Sequence, residues 1–236
     1  MFFTGKRILI TGSARRCGAA LVRRFAGLGA TMLIHCRSSR QEAEKLCASL
    51  PGEGHQVFNA DLLAPGGAAK LFHDCGRIDI LINNASIFFR PGSPEDIAAA
   101  DDYMMLHYRA PLTLLKLFAG QRIAGSCAVN ILDQAVLSPG SGAYYTSRKL
   151  LADATVELAK EWGNFDIRIN AVAPGPMLPP SWAPDSKMAK TLPTLPLRRP
   201  VALEDFTSAV EFLITNNSIT GAILPVDCGQ HLVSLP

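Results

Sequence analysis

The chain has 236 residues, 48% of them hydrophobic and 18% charged, with a net charge of +3, which is enough apolar material for one complete core and too little length for two. So mild a positive balance, with no basic stripe interleaved with aromatics, argues against nucleic acid as a partner, and no run approaches the roughly 18 apolar residues of a membrane span. Six cysteines without a C-x-x-C pair or a metal-spaced His/Cys cluster, behind an opening MFFTGKRILITG that lacks a signal pattern, point to isolated thiols, neither disulfides nor structural zinc, and a cytoplasmic location.

Short apolar runs alternate with longer amphipathic segments in chain order, the pattern of βαβ units. Strands are predicted at 7–11, 31–35, 55–60, 79–83, 127–132, 167–173 and 222–226, the run at 55–60 being the weakest. Helical spacing or composition occupies 18–28, 40–49, 64–75, 94–119, 142–162 and 202–214. The expectation is an α/β fold: a single Rossmann-like, doubly wound domain over residues 1–236, with a mostly parallel seven-stranded sheet flanked by helices. The proline-rich stretch 174–200 is too long for an ordinary connection and reads either as a substrate-covering loop, chiefly 176–200, or as a poorly ordered segment.

The first strand leads into Gly12, Ser13, Ala14, Arg15, Arg16, Cys17 and Gly18 and then into a helix. A glycine-bearing strand-to-helix turn lets backbone approach a pyrophosphate, whose charge meets free N–H groups and the positive helix end. The second strand ends at His35, Cys36, Arg37 and Ser38, where a fold that prefers NAD usually carries an acidic residue for the ribose 2′-hydroxyl. Arg37 with Ser38 beside it suits the 2′-phosphate of NADPH instead.

The ordered set of TG-x-x-x-x-x-G at 11–18, Asp61, Asn83-Asn84-Ala85, Tyr145-x-x-x-Lys149 and Pro174-Gly175 resembles the short-chain dehydrogenase/reductase family across essentially the whole chain. The resemblance implies that Asp61 and Leu62 flank the adenine, that Asn83 and Ala85 lie along the ribose, and that Pro174, Gly175, Pro176 and Met177 pass the nicotinamide amide. It also implies that Lys149 bonds the nicotinamide ribose. Tyr145 and Lys149, four apart, are expected on one helix face, where the ammonium lowers the phenol's pKa; Tyr144, five before Lys149, is expected to point elsewhere.

At the end of the fifth strand the commoner carbonyl-reducing members carry a serine, whereas this chain has Asp133. An ionised carboxylate only accepts hydrogen bonds, so it suits a pterin's N–H groups better than a ketone oxygen; its alternative reading is a loop cap. With Arg16 in place of a glycine and Phe88 after the fourth strand, the pattern resembles the pteridine and dihydromonapterin reductases. That resemblance implies that Arg16 meets both cofactor phosphate and pterin, that Ser86 bonds pterin or pyrophosphate, and that Phe88 stacks on the pterin, unless Phe88 is ordinary packing. His107, four residues before Pro111, either supports a proton-relay water or is a satisfied interhelical histidine.

These readings together predict NADPH-dependent reduction of a dihydropterin, or of dihydrofolate, at a ring C=N, with Asp133, Tyr145 and Lys149 catalytic. The alternatives are a carbonyl reductase of small ketones or 3-oxoacyl thioesters and a non-catalytic NADPH-binding regulator. The helical stretches at 94–119 and 142–162 correspond to dimer-forming ones in related reductases, so a homodimer or homotetramer is expected.

Overall fold

The structure, a computed structural model, describes residues 2–179 and 186–233. Seven strands, β1 (Arg7–Ile10), β2 (Thr31–Cys36), β3 (Gln56–Asn59), β4 (Ile80–Asn83), β5 (Cys127–Ile131), β6 (Arg168–Pro174) and β7 (Ile223–Val226), lie in one sheet in the order β3-β2-β1-β4-β5-β6-β7. Every pairing is parallel. The chain winds outward from β1 to β3, then crosses back to β4 on the other side of β1. The carboxyl ends of β1 and β4 therefore part around a crevice, the usual ligand position in doubly wound sheets.

Both faces of the sheet are covered, which is why its strands read as continuous apolar runs rather than alternating ones. Ile8, Ile10, Met32, Ile34, Ile82 and Val129 face one layer, with α1 (Arg16–Gly27), α2 (Arg40–Ala48) and, further along the chain, the helix Leu203–Thr215. Leu9, Leu33, Leu81, Ala128, Ile169 and Ala171 face the other. There they meet α3 (Gly67–Cys75) and two later helices, Ala110–Gly120 and Gly142–Trp162. None of the described helices is long and apolar enough to cross a membrane.

The predicted helix 94–119 is four pieces: α4 (Pro94–Ala98), α5 (Ala100–Met104), a π-helical turn at Met105–Arg109, and α6 (Ala110–Gly120). Pro111 explains the widened turn. It has no N–H for the carbonyl of His107, four residues back, and its ring crowds that carbonyl. After α7 (Gly142–Trp162), the 174–200 stretch contains a short helix, α8 (Ser186–Thr191), that composition did not suggest; its residues 180–185 lie outside those described. Then comes α9 (Leu203–Thr215).

The carboxyl end of α9 is tied to the sheet by Arg168, which is buried on β6. Its guanidinium donates to the carbonyls of Leu213 (2.8 Å) and Ile214 (2.5 Å), which a helix end cannot satisfy internally, and to that of Ile219 (2.9 Å) in the turn beyond. Arg168→Met keeps the apolar stem and removes all three donors. It is expected to destabilise the fold by roughly 2–4 kcal/mol, read as a lower urea midpoint at unchanged slope; an unchanged midpoint would mean that water serves these carbonyls equally well.

Candidate active site

A cleft of about 1180 Å³ opens along the carboxyl edge of the sheet, running from the glycine turn and the end of β2 to α7, the exit of β6 and Gln230 near the carboxyl end. Its floor at the switch point is built by close backbone approach. Gly12 has a positive φ of 61°, and a Cβ there would stand 2.8 Å from the Cα of Ala85; a Cβ on Gly18 would stand 2.6 Å from the Gly12 carbonyl. Only glycine permits both contacts. No side chain caps α1 and no acidic residue lies in its first turn, so its N–H groups and positive end are left for an anion.

Side chains around this turn hold it in place. The Thr11 hydroxyl accepts from the N–H groups of Asn84 (2.9 Å) and Ala85 (3.0 Å), while the Asn84 amide donates to the carbonyls of Thr11 (2.9 Å) and Gly12 (3.0 Å). His35 Nδ1 accepts from the Gly12 N–H at 3.0 Å, and its Nε2 lies 3.0 Å from the Ala60 carbonyl. Burial pushes the His35 pKa down, which keeps the ring in the neutral form this bonding requires.

The predicted cofactor residues therefore divide. Gly12, Arg15, Arg16, Cys17, Gly18, His35, Arg37, Ser38, Asp61, Leu62, Ala85, Ser86, Pro174, Gly175 and Met177 all line the cleft, as do Pro176 and Phe88. Ser13 does not: its hydroxyl turns inward to the Ile10 carbonyl at 2.8 Å and its N–H is taken by the His35 carbonyl. Asn83 is also directed into the sheet, donating to Asn130 Oδ1 at 2.9 Å, and it is Asn84 that faces the cleft. Although His35 lines the cleft, its ring nitrogens are engaged by backbone. Arg37 and Asp61 are 3.9 Å apart and about half exposed. Arg16, at a positive φ of 54°, reaches across the cleft and donates to the carbonyl of Pro179 at 2.8 Å.

At α7 the cleft wall includes residues beyond the predicted pair. Lys149 is off the cleft wall, paired with Asp153 one turn on at the surface. Tyr145 lines the cleft, its ring against Gly140. The preceding register of α7 faces inward. Tyr144 donates its hydroxyl to Asp133 Oδ2 at 3.0 Å, and Arg148, four residues on, is buried at 4% exposure. The inner face of α7 carries the buried stripe of Ser147, Arg148, Leu151, Ala152, Thr155, Leu158, Ala159 and Trp162. That stripe is legible as apolar periodicity, whereas Lys149 and Asp153 form an i,i+4 charge pair of the solvent side.

Asp133 is a cap that also lines the cleft. Its Oδ1 accepts from the N–H of Ala135 at 2.9 Å, opening the turn Gln134–Leu137, and this fixes Oδ2 toward Tyr144. Burial first, and the carboxylate beside it second, push the Tyr144 pKa up, with Arg148 opposing them; Tyr144 is a neutral phenol around neutrality. Phe88 tilts against it with ring centres 4.9 Å apart. His107 is fully buried and outside the cleft wall. Its Nε2 lies 3.2 Å from the Ile87 nitrogen and 3.3 Å from Ser86 Oγ, and its Nδ1 is 3.2 Å from Ser147 Oγ, so it is a satisfied histidine between helices.

A family model described as enoyl-(acyl carrier protein) reductase matches residues 12–231. Among curated proteins, glucose 1-dehydrogenase of Gluconobacter oxydans is 29% identical over 98% of this chain and 93% of its own. Oxidoreductase UcpA of Escherichia coli K12 is 29% identical over 97% and 95%. Among solved structures, FolM alternative dihydrofolate reductase 1 of Brucella canis, complexed with NADP, superposes with a TM-score of 0.89 at 32% identity, covering 99% of this chain and 97% of that one.

Burial, followed by the Arg148 charge, pushes the His107 pKa far below its ordinary value. The unfolded chain therefore takes up a proton near pH 6.5 that the folded one refuses, so the stability tied to this ring is complete above that pH and is lost as pH falls. The loss reaches about 1.4 kcal/mol per pH unit for each such histidine. Urea unfolding at pH 5.5 and 7.5 should show this difference, and His107→Gln should reduce it; His107 ring resonances that titrate near 6.5 in the folded protein would contradict it.

Proposed function

The chain belongs to the short-chain dehydrogenase/reductase family, and we propose that it is an NADPH-dependent reductase of a dihydropterin or a related reduced pteridine such as dihydrofolate. The observation that carries this reading is Asp133 at the end of β5, accepting the Tyr144 hydroxyl beside Phe88. A carboxylate at that point repels a carbonyl oxygen but accepts the N–H groups of a flat, nitrogen-rich ring, and an aromatic face next to it suits offset stacking. The likeness to the FolM enzyme of Brucella canis supports it.

The cofactor assignment rests on the cradle around Gly12 and Gly18, the uncapped start of α1, and Arg37 at the end of β2. These fit a pyrophosphate over the glycine turn and a 2′-phosphate at Arg37. NADPH, when bound, supplies the hydride for the ring carbon of a C=N bond. Tyr145, which lines the cleft, gives its proton to the adjacent nitrogen, and Lys149, four residues on along α7, is the cation that supports it. Asp133, whose Oδ2 is held by the Tyr144 hydroxyl, takes up substrate N–H donors, while Phe88 holds the ring plane.

A second reading, reduction of a ketone or thioester carbonyl, is favoured by the glucose 1-dehydrogenase likeness. A panel of dihydromonapterin, dihydrobiopterin, dihydrofolate, small ketones and a 3-oxoacyl thioester, assayed with NADPH and NADH, separates the two. Pterin turnover with NADPH is expected. Asp133→Ser should abolish it while NADPH binding stays within a few-fold, and turnover of carbonyl compounds alone would replace the pterin reading with the second.

The choice between the two tyrosines has its own test. Tyr145→Phe is expected to lower kcat by about 10²–10⁴-fold, and Lys149→Met to lower it as well, while Tyr144→Phe leaves it within about tenfold. The reverse ranking would move the chemistry to Tyr144.

A further inference from the structure

Beyond Thr191, one described residue lines the cleft: Gln230, which is buried at 7% exposure yet leaves Oε1 without a hydrogen-bond partner. Among the described residues three other buried side-chain atoms share that condition, Asn83 Oδ1, Ser126 Oγ and Arg148 Nε. Asn83 and Ser126 lie off the cleft wall, and Arg148, which is on it, has its other two nitrogens bonded to the Ile131 carbonyl and to Ser86 Oγ. An acceptor taken out of water and given no donor destabilises a fold. Its place in a ligand cleft is what distinguishes Gln230.

The turn that carries Gln230 is tightly determined. Asp227, itself buried, accepts at Oδ1 from the Gly229 N–H (3.0 Å) and at Oδ2 from the N–H of His231 (2.7 Å), whose ring Nδ1 lies 2.8 Å from the same oxygen. The Cys228 carbonyl accepts from the Leu197 N–H at 3.2 Å. Cys228 and Gly229 are both left-handed, at φ 56° and 84°, a conformation that is unfavourable for cysteine and that persists where the surroundings over-determine it. A Cβ on Gly229 would stand 2.8 Å from Pro196 Cγ. The same turn packs against Gln134–Leu137, which follows Asp133. Gln230 and Asp133 are thus held on one flank of the cleft.

We propose that Gln230 is a specificity-determining residue, whose carboxamide accepts a hydrogen bond from a hydroxyl on the side chain of the bound pteridine. This inference rests on the proposed function and names the part of the substrate that function left open. The chemistry divides between the two residues. An ionised Asp133 only accepts, which suits ring N–H groups, whereas a carboxamide both accepts and donates, as a hydroxyl does. The last bond of a glutamine side chain is a soft, roughly two-fold rotor, so Oε1 turns toward an arriving donor while the backbone beneath it stays fixed. The substrate class is then a dihydropterin with a short hydroxylated side chain, in preference to one with a plain alkyl group there.

Full-length Gln230→Met, which keeps the length and removes the amide, is compared with wild type on dihydromonapterin and on a dihydropterin bearing a methyl group in place of the side chain, each with NADPH. The kcat/KM for dihydromonapterin is expected to fall about tenfold, that for the methyl compound to change by less than about threefold, and the KM for NADPH to hold. Gln230→Glu, which retains an acceptor, should keep the preference for the hydroxylated substrate within about threefold of wild type. Calorimetric binding of the two oxidised pterins to the enzyme–NADP complex should repeat the pattern without turnover. The urea midpoint of free Gln230→Met should equal or exceed that of wild type, because an unpartnered acceptor has been removed. Parallel losses on both substrates, no loss on either, or a lowered midpoint overturns the role of Gln230 and leaves the proposed function standing. Absence of both binding and turnover with every pterin overturns the proposed function and this inference with it.

Discussion

A parallel sheet ends in backbone carbonyls and N–H groups that no further strand can satisfy, and buried ones must find partners. In this chain those partners are the side chains that shape the cleft. Asn84 and Thr11 close the gap between β1 and β4, His35 holds the Gly12 N–H, and Arg148 takes the last carbonyl of β5. The demand for hydrogen bonds at the sheet edge and the demand for a rigid cofactor cradle are met by the same residues. A change at Asn84 or His35 would therefore disturb binding and folding together.

Polarity is graded along the edge. On the β2 side, Arg37 and Asp61 sit in solvent and their mutual attraction is weak, which leaves the guanidinium easily recruited by a stronger anion. On the α7 side, Arg148 is sealed from water, where a charge acts over several ångströms with little screening. One arginine suits adjustable recognition and the other suits fixed geometry.

The sheet was legible because it is covered on both faces. Each strand from RILI to ILPV is a compact apolar run, and even the weak candidate at 55–60 forms β3 at the edge, where only part of its surface is buried. Helix breaks were harder. The π-helical turn at Met105–Arg109 depends on a missing N–H at Pro111, which signals disruption without saying whether the helix ends, bends or widens. The site was legible in part for a similar reason. Asp133 and Phe88 stand where strand ends place them, and Tyr145 is at the cleft as the Tyr-x-x-x-Lys spacing indicates, but nothing in that spacing foretold that Tyr144 would donate to Asp133 or that Lys149 would pair with Asp153. Ser13 and Asn83 show the same limit, since a residue can belong to a binding motif and still turn its side chain inward.

The raised pKa of Tyr144 bears on how the wall beside β5 meets a change of pH. Burial first and the Asp133 carboxylate second keep the ring a phenol, so alkalinity within the physiological range leaves its hydrogen bond to Asp133 and its contact with Phe88 in place. That stretch of the cleft keeps one shape and one polarity over the range in which an ordinary exposed histidine changes its charge.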